Sequence, residues 1–148
     1  MSKRSRGVRE RPPTSHAAGP NVVDSSGCLE YFADGPNASR FAPAIENIGA
    51  LVVPSITLYE VYKRLDEQRG RADAQRGVAQ MIQGRVIDPD AHVAPTAALR
   101  SRSEHLPMAD SIILATSRLH QAELWTQDHH FANKSGVHYF PKVVQKEN

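Results

Sequence analysis

Short apolar runs rich in β-branched residues alternate along this chain with longer stretches of helical periodicity, and that alternation constrains the fold most tightly. "NVVDSS", ending its apolar part at Asp24, "ALVVP", "RVIDP", "AELWTQD" and "VHYFP" read as five short strands. "GCLEYFA" follows the first as a helix. "ASRFAPAIENIG" sets Phe41, Ile45 and Ile48 at helical spacing and stops at Gly49. "SITLYEVYKRLDEQRG" places Leu58, Tyr62 and Leu65 on one face and stops at Gly70. "ADAQRGVAQMIQG" turns Val78, Met81 and Ile82 inward. "DAHVAPTAALRSRSE" predicts a helix broken or bent near Pro95, and Pro107 opens a helix running through Leu119. Apolar strands separated by helices predict an α/β chain with a short parallel sheet covered on both faces. The sequence contains no internal repeats.

With 148 residues the chain suffices for one domain and a real hydrophobic core. No run approaches the roughly 18 apolar residues of a membrane span. The basic start "MSKRSRGVRERPP" has no apolar segment after it, so no secretory signal is expected. The single cysteine, Cys28, cannot form an intramolecular disulfide and fits a reducing, cytoplasmic setting. Its place inside "GCLEYF" predicts a small core residue rather than a nucleophile. The formal net charge of +2 is unevenly spread. Residues 1–20 carry five basic groups against Glu10, leaving 13 basic against 15 acidic groups in the other 128 residues. That tail is rich in Arg, Ser, Pro and Gly without periodicity and predicts disorder. The slightly acidic remainder is not a basic nucleic-acid module on charge alone and would favour a cation.

Four acids fall where such a fold collects ligands, beyond the carboxyl ends of strands. Asp24 closes the first strand, and Asp128 follows "LWT". Glu60 lies in the early turns of the helix after "LVVP", and Asp110 in the first turn after Pro107. Singly, each has an ordinary structural role open to it, as a loop residue, helix cap or helix-start acid. Together they are harder to dismiss, because "VVD", "LYEV" and "MADSIIL" set three of them against apolar segments. Converging carboxylates repel and normally hold protons or metal ions. Hard oxygen donors without cysteines or regular histidine spacing point to Mg²⁺ or Mn²⁺ rather than zinc. His129 and His130, beside Asp128, are the obvious rival ligands, but adjacent histidines need not face one site and the metal-binding spacing is absent, so they read as loop or RNA-facing residues. Thr126 shares a side of the extended chain with Asp128 and could orient a carboxylate or a water. Ser25 and Ser26 could do the same.

"NVVDSSGCLEYF", "PSITLYEVYKRL", "LPMADSIILATS" and "LWTQDHHF", in this order and spacing, resemble the PIN domain. More narrowly, they resemble the VapC-type toxin ribonucleases of bacterial toxin–antitoxin pairs. The resemblance covers residues 21–142, between the 1–20 tail and a short tail at 143–148. It implies a three-layer α/β/α fold with a short central parallel sheet. It also implies a site of Asp24, Glu60, Asp110 and Asp128, with Ser25 and Thr126 in support. On the same ground, one or two Mg²⁺, or Mn²⁺, held by Asp24, Asp110 and Asp128 would activate a water to hydrolyse RNA phosphodiesters. Cys28 stands where relatives often carry a bulkier aromatic, a difference of packing and not of chemistry.

Two other functions fit parts of the pattern. A phosphoacceptor receiver domain is also α/β with clustered acids, but it pairs two acids after the first strand, where this chain has Ser25 and Ser26. A catalytically inactive PIN-like binding module would use the same acids only to dock a partner's Arg segment. The resemblance also implies a homodimer and a groove for a cognate VapB-like antitoxin. Phe41, Tyr59 and Tyr62 either bury internally, as most such stripes do, or, as the resemblance implies, form the exposed apolar surface for one of these, and an antitoxin Arg could compete with metal for the acids.

Overall fold

Side chains alternate between the two faces of a strand, and here both faces are apolar. The computed structural model of the chain describes residues 18–144, so most of the tail read as disordered lies outside the described residues. β1 (Asn21–Val23), β2 (Leu51–Pro54), β3 (Arg85–Ile87), β4 (Glu123–Thr126) and β5 (Val137–Tyr139) form one sheet. Their order is β3-β2-β1-β4-β5, and every neighbouring pair is parallel. Val23, Leu51, Val53 and Trp125 face one side of it, and Val22, Val52 and Leu124 the other.

Six α-helices cover these faces: α1 (Ser25–Phe32), α2 (Ala38–Ile45), α3 (Ser55–Arg69), α4 (Arg71–Ile82), α5 (Val93–Glu104) and α6 (Met108–Leu119). The first layer comes from α1–α4 through Cys28, Phe41, Ile45, Val61, Leu65 and Met81. On the opposite face α6 contributes Ile113 and Leu114, and α5 packs Val93 and Ala97 against Ala115 of α6. This is the α/β/α sandwich expected from the alternation of elements. β1 is central, and the chain runs to β2 and β3 on one side of it but to β4 and β5 on the other. The carboxyl end of β1 is therefore the topological switch point, where open α/β sheets leave a crevice.

Several local expectations need correction. Phe41 is fully buried and not part of an exposed patch. Its ring lies so close to α1 that a Cβ on Gly27 would fall 2.7 Å from it, which explains the glycine there. Tyr62 packs half-buried against the core, leaving Tyr59 exposed. Ile48 sits beyond the end of α2 in a 3-10 turn and is exposed, as is Ile82. The buried face of α4 is Ala74, Gly77 and Met81, with small residues admitting the close approach of α3. Pro95 neither breaks nor bends α5. It occupies the first turn, where a missing N–H leaves no helical hydrogen bond unmade. Cys28 is buried, and that burial pushes its thiol well above the ordinary range, consistent with an inert core residue. Among the described residues no helix is long and apolar enough to cross a membrane.

Candidate active site

Four separate elements deliver the four acids to one cleft of about 460 Å³ at the switch point. Asp24 follows β1 as the N-cap residue of α1. Glu60 lies in the second turn of α3, Asp110 in the first turn of α6, and Asp128 two residues past β4. Ser25 also lines the cleft, whereas Thr126 is fully buried beneath it.

The acid of β1 is fixed by hydroxyls. Asp24 is only 3% exposed, and its side chain makes no capping bond to α1, so helix capping does not explain it. Instead Oδ2 accepts from Ser26 Oγ at 2.7 Å and from Thr126 Oγ1 at 2.9 Å. Thr126 Oγ1 in turn accepts the backbone N–H of Asp128 at 2.9 Å, and Ser26 Oγ accepts that of Gln127 at 3.2 Å. The two hydroxyls thereby tie the start of α1 to the end of β4. Burial raises the pKa of Asp24, the two hydroxyls pull it back, and Asp128 and Glu60 push it further up. Ser25 serves a different acid, donating to Glu60 Oε1 at 2.5 Å.

The second group of acids is bridged by an imidazole. His130 Nδ1 lies 3.0 Å from Asp110 Oδ2 and 3.1 Å from Asp128 Oδ1. The pKa of Asp110 is pushed up to about 6, first by burial and then by the charges of Asp128, Asp24 and Glu60, with His130 opposing. Asp128 does fill a structural role as well: its Oδ1 accepts the His130 backbone N–H at 2.9 Å, capping the 3-10 turn His129–Phe131. One donor atom each from Asp110, Asp128 and His130 lie within 4.8 Å of one another. Two conflicting carboxylates and one imidazole form a donor set that fits a divalent cation.

The pair of histidines therefore divides. His129 is 81% exposed, in keeping with a loop residue, but His130 belongs to the acidic cluster, contrary to expectation. The reason is the tight turn after Asp128, whose capping bond folds residue i+2 back onto the carboxylate. An Asx-type turn at Asp128 was the available signal in the sequence. Other contributors were not foreseen. Arg64 and Gln68 follow Glu60 at helical spacing and line the same cleft, as does Lys142 beyond β5. Gln127 is buried between Glu30, to which it donates at 3.2 Å, and Asn37, from which it accepts at 3.0 Å. Asn37 also holds the carbonyl of Pro141 at 3.0 Å, which anchors the segment carrying Lys142.

The family model of the PIN domain matches residues 22–137. No curated protein matches the chain. Among solved structures, it is similar to a toxin–antitoxin complex from Klebsiella pneumoniae, with 23% identity and a TM-score of 0.70 over 82% of this chain and 99% of that one. VapBC2 from Rickettsia felis, bound to a DNA fragment from its promoter, gives 14% and 0.61 over 82% and 97%. The Sarcin-Ricin loop cleaving toxin VapC20 of Mycobacterium tuberculosis gives 18% and 0.58 over 75% and 92%. At these identities the likeness is one of fold.

Proposed function

Because the chain belongs to the PIN-domain family, we propose that it is a divalent-metal-dependent endoribonuclease, the toxin of a toxin–antitoxin pair. One observation carries this reading: Asp24, Glu60, Asp110 and Asp128 converge from four elements on one cleft. Asp24, Asp110 and Asp128 would hold Mg²⁺, or Mn²⁺, with Glu60 acting directly or through water. A cation held there supplies an activated water and neutralises charge on the phosphate oxygens. The protein's own part is orientation. Ser26 and Thr126 fix the Asp24 carboxylate and Ser25 fixes that of Glu60, so little reorganisation is needed when the phosphate arrives. Arg64 and Lys142, which line the same cleft, would meet backbone phosphates, which position a strand without reading its sequence.

The partner reading rests on toxin–antitoxin assemblies among the structural relatives. Tyr59, 62% exposed on the helix that carries Glu60, would belong to the surface covered by an antitoxin segment or a second copy of the chain. An antitoxin Arg entering the cleft would bind the carboxylates bidentately and compete with metal.

Purified protein incubated with single-stranded RNA tests the enzyme. Cleavage should require Mg²⁺ or Mn²⁺, stop on chelation, and not be supported by Ca²⁺, whose looser coordination misplaces the attacking water. Full cleavage in excess chelator would exclude the mechanism, and no cleavage with any metal would favour the inactive binding module. Co-expression with the product of any small reading frame found beside its gene tests the pairing. Failure of that product either to co-purify or to relieve growth arrest would remove the toxin–antitoxin assignment alone.

A further inference from the structure

An imidazole nitrogen set between two carboxylates gives this cleft a donor that an all-acid site lacks. We propose that His130 is a direct metal ligand through Nδ1, so that the site prefers Mn²⁺ and later transition ions over Mg²⁺. The proposal rests on reading the cleft as a divalent-metal site and specifies which ion it selects.

Three observations support it. First, the spacing is right for coordination. Adjacent donors around an octahedral ion with bonds of about 2.1 Å lie about 3 Å apart. His130 Nδ1 stands 3.0 Å from Asp110 Oδ2 and 3.1 Å from Asp128 Oδ1. With its proton on Nε2, an imidazole offers Nδ1 as a lone pair to an ion.

Second, the backbone that carries the ring is held in place. His130 is the middle residue of the 3-10 turn His129–Phe131, and its backbone N–H is bound by Asp128 Oδ1 at 2.9 Å. Phe131, the next residue, is fully buried in the core beneath α6 and pins the turn. The His129 ring lies against that of His130, tilted by 37° with centroids 4.5 Å apart. The turn is thus formed before any ion arrives, and from it the 42%-exposed side chain reaches both acids.

Third, the donor set carries a chemical preference. Carboxylate and water ligands suit Mg²⁺, while imidazole favours transition ions, whose affinities rise from Mn²⁺ along the series. One nitrogen among oxygen donors shifts the balance away from Mg²⁺ without forming the sulfur- or histidine-rich tetrahedral set of structural zinc sites.

Pulsed electron paramagnetic resonance of the full chain loaded with Mn²⁺ tests the assignment without reference to cleavage. Wild type should show a ¹⁴N coupling from a directly bound imidazole, and His129→Ala should keep it. His130→Asp should still bind Mn²⁺ but lose the coupling, with its Mn²⁺-over-Mg²⁺ preference in calorimetric titration reduced. His130→Ala should bind Mn²⁺ at least about tenfold more weakly, with its circular dichroism unchanged. Bound Mn²⁺ without nitrogen coupling in wild type, or coupling that persists in His130→Asp, would overturn the assignment. In that case, loss of Mn²⁺ binding in the Asp110→Asn variant would leave the cleft a metal site made of oxygen donors. Failure of wild type to take up Mn²⁺ at all would overturn both readings.

Discussion

The two halves of the cleft solve the same problem, a carboxylate removed from water, in different ways. On the β1 side, Asp24 is buried at a strand end and receives two hydroxyl hydrogen bonds from rigid elements. On the α6 side, Asp110 and Asp128 keep 14% and 25% side-chain exposure and share one imidazole nitrogen. The first arrangement fixes an orientation within the fold itself. The second leaves a charge conflict, seen in the raised pKa of Asp110. Hydroxyl donors fix a carboxylate without cancelling its charge, so a cation entering the cleft would find one ligand already aimed and another relieved of repulsion.

The comparison fails if the two halves respond alike to substitutions that discriminate between them. The largest effect is expected in cleavage. Asp24→Asn and Asp110→Asn should each lower the single-turnover rate on RNA by more than about a hundredfold, beyond the range of most outer-shell changes. Neither should unfold the protein, and the metal-free melting temperature should stay level or rise. Wild-type rates in either variant would remove that acid from the mechanism, and an unfolded variant would make it structural.

A stability difference with a defined pH range comes next. The Asp110 carboxyl titrates near 6 in the folded chain against an ordinary value of 3.8, so folding favours its protonated form. Its ionisation therefore costs stability, a cost absent below the ordinary value and fully present above about 6. Metal-free wild type should lose roughly 1–3 kcal/mol relative to Asp110→Asn as pH rises from about 4 to about 7. Denaturant melts at several pH values measure this, and parallel curves would contradict it.

The hydroxyl side can be probed through Thr126→Val, which removes a donor to Asp24 and the acceptor of the Asp128 N–H. A cost of about 1–3 kcal/mol is expected, with cleavage reduced about 10–100-fold. Ser25→Ala touches only the half-exposed Glu60 and should change stability by no more than about 1 kcal/mol, with the smallest loss of rate in the series. If Ser25→Ala proved as damaging as Thr126→Val, the distinction between a buried tie and a peripheral one would not hold.

The acids were legible because each carries its own local signature: an acid at the end of an apolar strand, or in an early turn of a helix with apolar neighbours. The sandwich was legible for a related reason, since strand and helix periodicities are local. What escaped depends on partners distant in sequence or on turn geometry. Gln127 is held by Glu30 and Asn37, about ninety or more positions away, and no spacing rule connects them. From the sequence His130 reads as a loop or RNA-facing residue, because adjacent histidines need not face the same site. A capped 3-10 turn, anchored by Phe131, brings it to the acids instead. Phe41 reads as surface until Gly27 opposite it is known to leave room for the ring.

The central claim is that Asp110 and its neighbours form a divalent-cation site, and thermal melting at neutral pH with and without Mn²⁺ tests it most directly. At a free concentration about one hundred times the dissociation constant, binding should stabilise wild type by about 2.7 kcal/mol. For a domain of this size that raises the melting temperature by roughly 5–10 °C. Asp110→Asn should lose most of this increase while melting at or above the metal-free wild type. An equal increase in both proteins, or none in wild type, would contradict the account.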